Sequence, residues 1–108
     1  MNLNDYQLEA ARTAASVDHN TLVVAALGLA GETGEFVELI KKHFFHGKVF
    51  DREAVKKELG DVLWYLALAA SAAELSLDTI AQANIGKLRA RYPDGFVHGG
   101  GNREDDGS

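Results

Sequence analysis

From Val62 to Ala73 the chain runs through 12 residues with hardly a polar side chain among them, and this run constrains the fold more than any other feature. It is shorter than the roughly 18 apolar residues that suggest a membrane span. Nothing nearby alternates with the period of two that marks a half-exposed strand. It therefore reads as a helix, and one that is apolar all round from Val62 to Ala70. Such a helix needs cover on more than one side. A chain of 108 residues makes one compact domain rather than two. Part of the cover is thus expected from another copy, which predicts a homo-oligomer.

Three more helices can be read around that one. The first is expected to start near Asn4, with Gln7 closing a capping box and Tyr6, Leu8, Ala11 and Ala15 as candidates for its inward face. The second follows Asn20, a good cap, and continues to about Phe45. Gly28, Gly31 and Gly34 lie inside it, each costing up to about 1 kcal/mol against alanine. Either the helix kinks there, or something approaches its bare backbone closely. A short loop, 46–51, carries Gly47 and ends in Asp51, which caps the third helix from Arg52 to about Glu74. Ser76 or Leu77 opens the fourth, and Pro93 stops it. The fold class is all-α, a four-helix bundle over residues 1–96. Residues 97–108, with three consecutive glycines and a charged end, are expected to form a flexible tail, with Phe96 available to pack on the body.

A net charge of -5 gives no general reason to bind a nucleic-acid polymer, which is gripped by clustered Lys and Arg. It leaves room for a phosphorylated small molecule, since bound divalent cations reverse the field around a carboxylate cluster. The absence of cysteine excludes disulfides, thiolate zinc sites and cysteine nucleophiles, and it suits a cytoplasmic location. Met1 to Gln7 lacks the pattern of a secretory signal.

Glu32 and Glu35 stand three apart, as do Glu58 and Asp61, so within each pair both carboxylates point to one side of a helix. A solvated helix face would explain either pair alone. Both pairs, however, sit beside apolar or glycine-rich stretches on successive helices. Carboxylates gathered on buried faces carry a desolvation cost and repel one another unless cations lie between them. Oxygen-only donors suit Mg²⁺ or Mn²⁺, whose octahedral shells leave positions for water and phosphate. A di-iron bundle would need Glu-x-x-His, and none of the eight glutamates has histidine three residues later.

Glu32-Thr33-Gly34-Glu35, 22 intervening residues, then Glu58-Leu59-Gly60-Asp61 followed by Val62-Leu63-Trp64-Tyr65 form a pattern. Asn84, Lys87, Leu88, Arg91 and Tyr92 ahead of Pro93-Asp94-Gly95-Phe96 extend it. With these motifs the chain, over residues 3–96, resembles the all-α nucleoside triphosphate pyrophosphohydrolases of the MazG type. The family often has a further acid just before the first motif glutamate, where Gly31 stands here.

The resemblance implies hydrolysis of a nucleoside triphosphate to monophosphate and pyrophosphate, with Glu32, Glu35, Glu58 and Asp61 as Mg²⁺ ligands. It also implies association as a homodimer or as a homotetramer built as a dimer of dimers. Glu35 is the first candidate for a base that contacts the attacking water. Lys87 and Arg91 are candidates for triphosphate oxygens and Asn84 for sugar or base, against the alternative that both cations serve the helix dipole. Tyr65 is weighed between base stacking and core, and Trp64 is expected in the core. Lys41, Lys42, His43 and His46 are read as helix-end capping, His19 and His98 as solvated. Glu38, about 240 degrees round from Glu32, is peripheral. The rival reading is a non-catalytic helical module whose acidic face binds a basic partner.

Overall fold

The computed structural model describes residues 1–95. Four helices make it up, α1 (Leu3–Arg12), α2 (Thr21–Phe45), α3 (Arg52–Ala72) and α4 (Leu77–Arg91), with no β-strand among the described residues. The expectations for Phe96 and for the tail 97–108 lie outside them.

The long helices α2 and α3 form an antiparallel hairpin through the loop 46–51. Gly47 adopts a left-handed φ of 68° there, which glycine reaches without steric cost. Asp51 then accepts from the Ala54 amide at 3.0 Å and starts α3. At the far end α3 stops after Ala72, two residues earlier than expected. Glu74 takes a φ of 60°, so the chain turns left-handed and the helix cannot continue. Ser76 accepts from the Thr79 amide and opens α4.

Two cap assignments are corrected. The capping box of α1 joins Asn2 and Asp5: the Asp5 amide donates to Asn2 at 2.8 Å, and the Asn2 amide donates to Asp5 at 3.3 Å. Asn4 and Gln7 are employed elsewhere. Asn4 accepts from the Asp78 amide at 3.2 Å in the first turn of α4. Gln7 donates to Ser71 and to the Leu75 carbonyl, both at 2.9 Å, and accepts from the Leu77 amide at 2.7 Å. One amide side chain thus ties α1 to the α3–α4 turn, and the otherwise free Leu77 N–H at the start of α4 is satisfied. Asn20 precedes α2 as expected, but its side chain makes no cap bond. Asp18 does that work, accepting from the Thr21 amide at 3.2 Å while its own amide donates to the Thr21 hydroxyl at 3.0 Å.

The apolar run of α3 finds much of its cover inside the chain. α2 lies along one side of α3 and α1 packs on another, while α4 packs on α1. Ala10, Ala67, Ala70 and Leu77 form the centre, with Tyr6, Trp64 and Ile80 against them. Trp64 belongs to this core, as expected, and its indole N–H donates to the Thr13 hydroxyl at 2.8 Å. Small residues at the centre let the helices approach closely. The consequence is that large apolar side chains remain outside, among them Val23, Leu27, Val37, Phe44 and Phe45 on α2.

Candidate metal centre

The hairpin sets the acidic pairs face to face. Thr21, Ala25, Gly28 and Glu32 repeat at spacings of four and three along the inner side of α2, and the first two are buried. The Tyr65 ring of α3 lies directly over Gly28, so closely that a β-carbon there would overlap it. This close approach gives one of the three α2 glycines its reason, while a β-carbon at Gly31 or Gly34 would meet nothing within 4 Å. One turn beyond the Gly28–Tyr65 contact, Glu32 meets Glu58 and Asp61. One carboxylate oxygen from each of these three lies within 4.8 Å of the others. Glu32 and Glu58 are half-buried and Asp61 is exposed.

Glu35, the fourth acid of the sequence pattern, is exposed one turn further along α2 and lies outside this tight trio. Its charge is still felt at Glu32. The Glu32 carboxyl is held above its ordinary value first by a hydrogen bond with Glu58, then by desolvation, then by the charges of Asp61, Glu58 and Glu35. Two facing carboxylates can bond only if one carries a proton. Glu58 Oε2 is moreover buried with no donor reaching it, and among the described residues no ion pair involves any of the three. A buried acceptor without a donor is costly. A divalent cation satisfies both conditions at once, neutralising the mutual repulsion and filling the orphaned lone pairs. The donor set is all oxygen, which fits a hard ion such as Mg²⁺.

The structure adds one neighbour that local sequence pattern did not reveal. α1 brings Tyr6 near Asp61, and the phenol is pushed up first by burial and then by that negative charge. Tyr6 was legible as part of an inward face, but no spacing rule connects it to a residue 55 positions later.

The residues expected to hold substrate are more dispersed. Asn84 and Lys87 are exposed on α4, whose first turns pack on α1 and on the Ala67–Ala70 stretch of α3. Arg91 is half-buried at the end of α4, its guanidinium 5.8 Å from the centre of the Tyr92 ring. Tyr65 is half-buried, occupied with Gly28 and edge-on to Trp64 at 5.0 Å. At the far end of α2, His43 Nδ1 bonds the Lys48 carbonyl at 2.8 Å, and its ring meets Phe44 and Phe50 edge-on. That is a structural use. Glu38 pairs with Lys41 at 3.0 Å, away from the trio.

The model of the MazG nucleotide pyrophosphohydrolase domain matches residues 20–96. The chain belongs to this family. The matched span contains the whole α2–α3 hairpin and α4, hence all four acids of the MazG pattern. A relative is the Gene 37 protein of Mycobacterium phage L5, 36% identical over 84 residues that cover 74% of this chain and 74% of that protein. No solved structure matches. Among the described residues no helix is long and apolar enough to cross a membrane.

Proposed function

We propose that this MazG-family chain is a Mg²⁺-dependent nucleoside triphosphate pyrophosphohydrolase that releases pyrophosphate and leaves the nucleoside monophosphate. The observation that carries the reading is the Glu32–Glu58–Asp61 convergence, with a buried Glu58 oxygen that no protein donor satisfies. Glu32, Glu58 and Asp61 hold Mg²⁺, or Mn²⁺ in its place, and Glu35 joins them from the next turn of α2. The ion, when bound, neutralises phosphate charge and acidifies water. The chain's own residues bind and orient. Glu35, exposed and close enough to act on Glu32 electrostatically, is the candidate base for the attacking water. Lys87 and Arg91 are the candidate donors to triphosphate oxygens, Asn84 to sugar or base. Tyr65 is the least available of the four, because its ring is already used against Gly28.

The substrate reading also sets the setting. A nucleotide-pool enzyme acts where nucleotides are made, which is the cytoplasm, and its role is pool control or removal of unwanted nucleotides. The exposed apolar residues of α2 favour work as a homo-oligomer, a dimer or a dimer of dimers.

The test is a panel of natural and modified nucleoside triphosphates with Mg²⁺ or Mn²⁺, scored separately for pyrophosphate and for single phosphate. Metal-dependent pyrophosphate release, lost in Glu58→Gln, is the expected result. Release of single phosphate instead would replace the reaction. No turnover, together with no rise in melting temperature on adding Mg²⁺ and a non-hydrolysable nucleotide, would leave the non-catalytic acidic module as the better account.

A further inference from the structure

α4 is held to the body at its base. Leu77 is buried with Ala10, Ala67 and Ala70, and Ile80 packs against them. The Leu77 and Asp78 amides donate to Gln7 and Asn4. From residue 82 to residue 90 every position is exposed. The apolar stripe, however, runs on past the packing. Leu77, Ala81, Ile85 and Leu88 follow one another at spacings of four, four and three, the repeat of one helix face. Ile85 and Leu88 stand 43% and 39% exposed.

α3 carries a face to match. Read backwards from Ala70, Leu66, Val62 and Leu59 come at the same spacings of four, four and three, and Leu66 and Leu59 are 39% and 47% exposed. By the helical turn this face points neither to α2, which takes Tyr65, nor to α1, which takes Trp64 and Ser71. Both helices rise about 1.5 Å per residue. α4 laid antiparallel along α3, from the cluster that Leu77 and Ala70 already share, would therefore set Ala81 opposite Leu66, Ile85 opposite Val62 and Leu88 opposite Leu59. The same register brings Lys87 level with Gly60, next to Asp61. It also turns Asn84, Lys87 and Arg91 to the flank of α4 nearest Glu58, while α1 lies on the other flank. The base of α4 suits a hinge: Glu74, at a left-handed φ of 60°, ends the run of α3, and Leu75 and Ser76 separate it from α4.

We infer that α4 is a hinged arm that closes along the Leu59–Leu66 face of α3 when nucleotide binds, carrying Asn84, Lys87 and Arg91 to the rim of the carboxylate cluster. Closure excludes water from the bound phosphates and completes the set of donors around them. It rests on the hydrolase reading for its trigger, a bound nucleotide, but not for its surface, so the two can fail separately.

The sequence has no cysteine, so an introduced pair reports closure directly. Leu59→Cys/Leu88→Cys, with both positions exposed, is expected to form a disulfide within one chain, seen as a one-chain band of altered mobility on a non-reducing gel. Mg²⁺ with a non-hydrolysable nucleoside triphosphate is expected to speed its formation several-fold. Leu59→Cys/Gly86→Cys, whose second cysteine lies on the far side of α4, is expected to stay unlinked. A link between chains in place of the link within one, or no link with or without nucleotide, overturns the arm. So does an unchanged rate when a rise in melting temperature shows that nucleotide has bound. If nucleotide neither binds nor is hydrolysed, the hydrolase reading fails, and the link within one chain then decides alone whether α4 closes. Should the first pair fail to fold by circular dichroism, Val62→Cys/Ile85→Cys gives the same readout.

Discussion

α2 carries the same residue types on two sides and uses them in opposite ways. Gly28, facing α3, has the Tyr65 ring over its backbone, while Gly31, less than one turn later, faces open space. Glu32 stands among carboxylates and holds its proton above the ordinary range. Glu38, under two turns on, is lowered below it, first by its hydrogen bond with Lys41 and then by that residue's charge. Position relative to α3, not residue type, decides whether a glycine is packing and whether a glutamate joins the carboxylate cluster or stands as a surface ion.

The largest expected contrast is catalytic. Replacing Glu32 by Gln removes a charged donor from the trio, and turnover should fall on the order of a hundredfold or more, as losses in or around metal shells do. Glu38→Gln breaks an exposed pair that contributes little, and pyrophosphate release should stay within about twofold of wild type. Assaying both variants at saturating Mg²⁺ checks this. Equal losses would mean that the two sides of α2 are not chemically distinct.

The hairpin, the loop and the acidic spacing were legible because they rest on local rules: Asp51 as a cap, Gly47 in the turn, and three-residue spacing on a helix. What escaped was whatever depends on long-range partners. Asn4 and Gln7 look like a capping box by spacing, but Asp78 and Leu77 offer them amides that the start of α1 does not need. The expected need for outside cover on α3 came from counting apolar residues along one helix. α1 and α2 supply cover there, and large exposed apolar residues emerged on α2, spaced among its glycines and alanines. In the same way the four acids were recognisable as a set, yet no spacing told that three would converge tightly while Glu35 stood a turn apart.

A second contrast concerns packing. Gly28→Ala should destabilise the fold by about 1–3 kcal/mol, since the added methyl displaces Tyr65, partly offset by a helix-propensity gain of up to about 1 kcal/mol. Gly31→Ala collects that gain without a clash and should raise the melting temperature by a few degrees. Combining Gly28→Ala with Tyr65→Leu tests the cause: the double variant should be less impaired than the two single effects added. Additive losses would show that the ring is not what Gly28 makes room for.

The smallest contrast is one of pH, and its sign differs between the two glutamates. Glu32 binds its proton more tightly when folded than the ordinary value of 4.5. Its contribution to stability is therefore complete below that value and is lost as pH rises through the raised folded value. Glu38 behaves in the opposite sense: its contribution is present above 4.5 and is lost as pH falls through its lowered folded value. In EDTA the melting temperature should thus decline from about pH 4.5 upward in wild type, and that decline should vanish in Glu32→Gln but persist in Glu38→Gln. Saturating Mg²⁺ should remove it as well, because a cation among the carboxylates favours their charged forms. A slope that survives both Mg²⁺ and Glu32→Gln would assign it to other groups and deny that Glu32 shares a proton with Glu58.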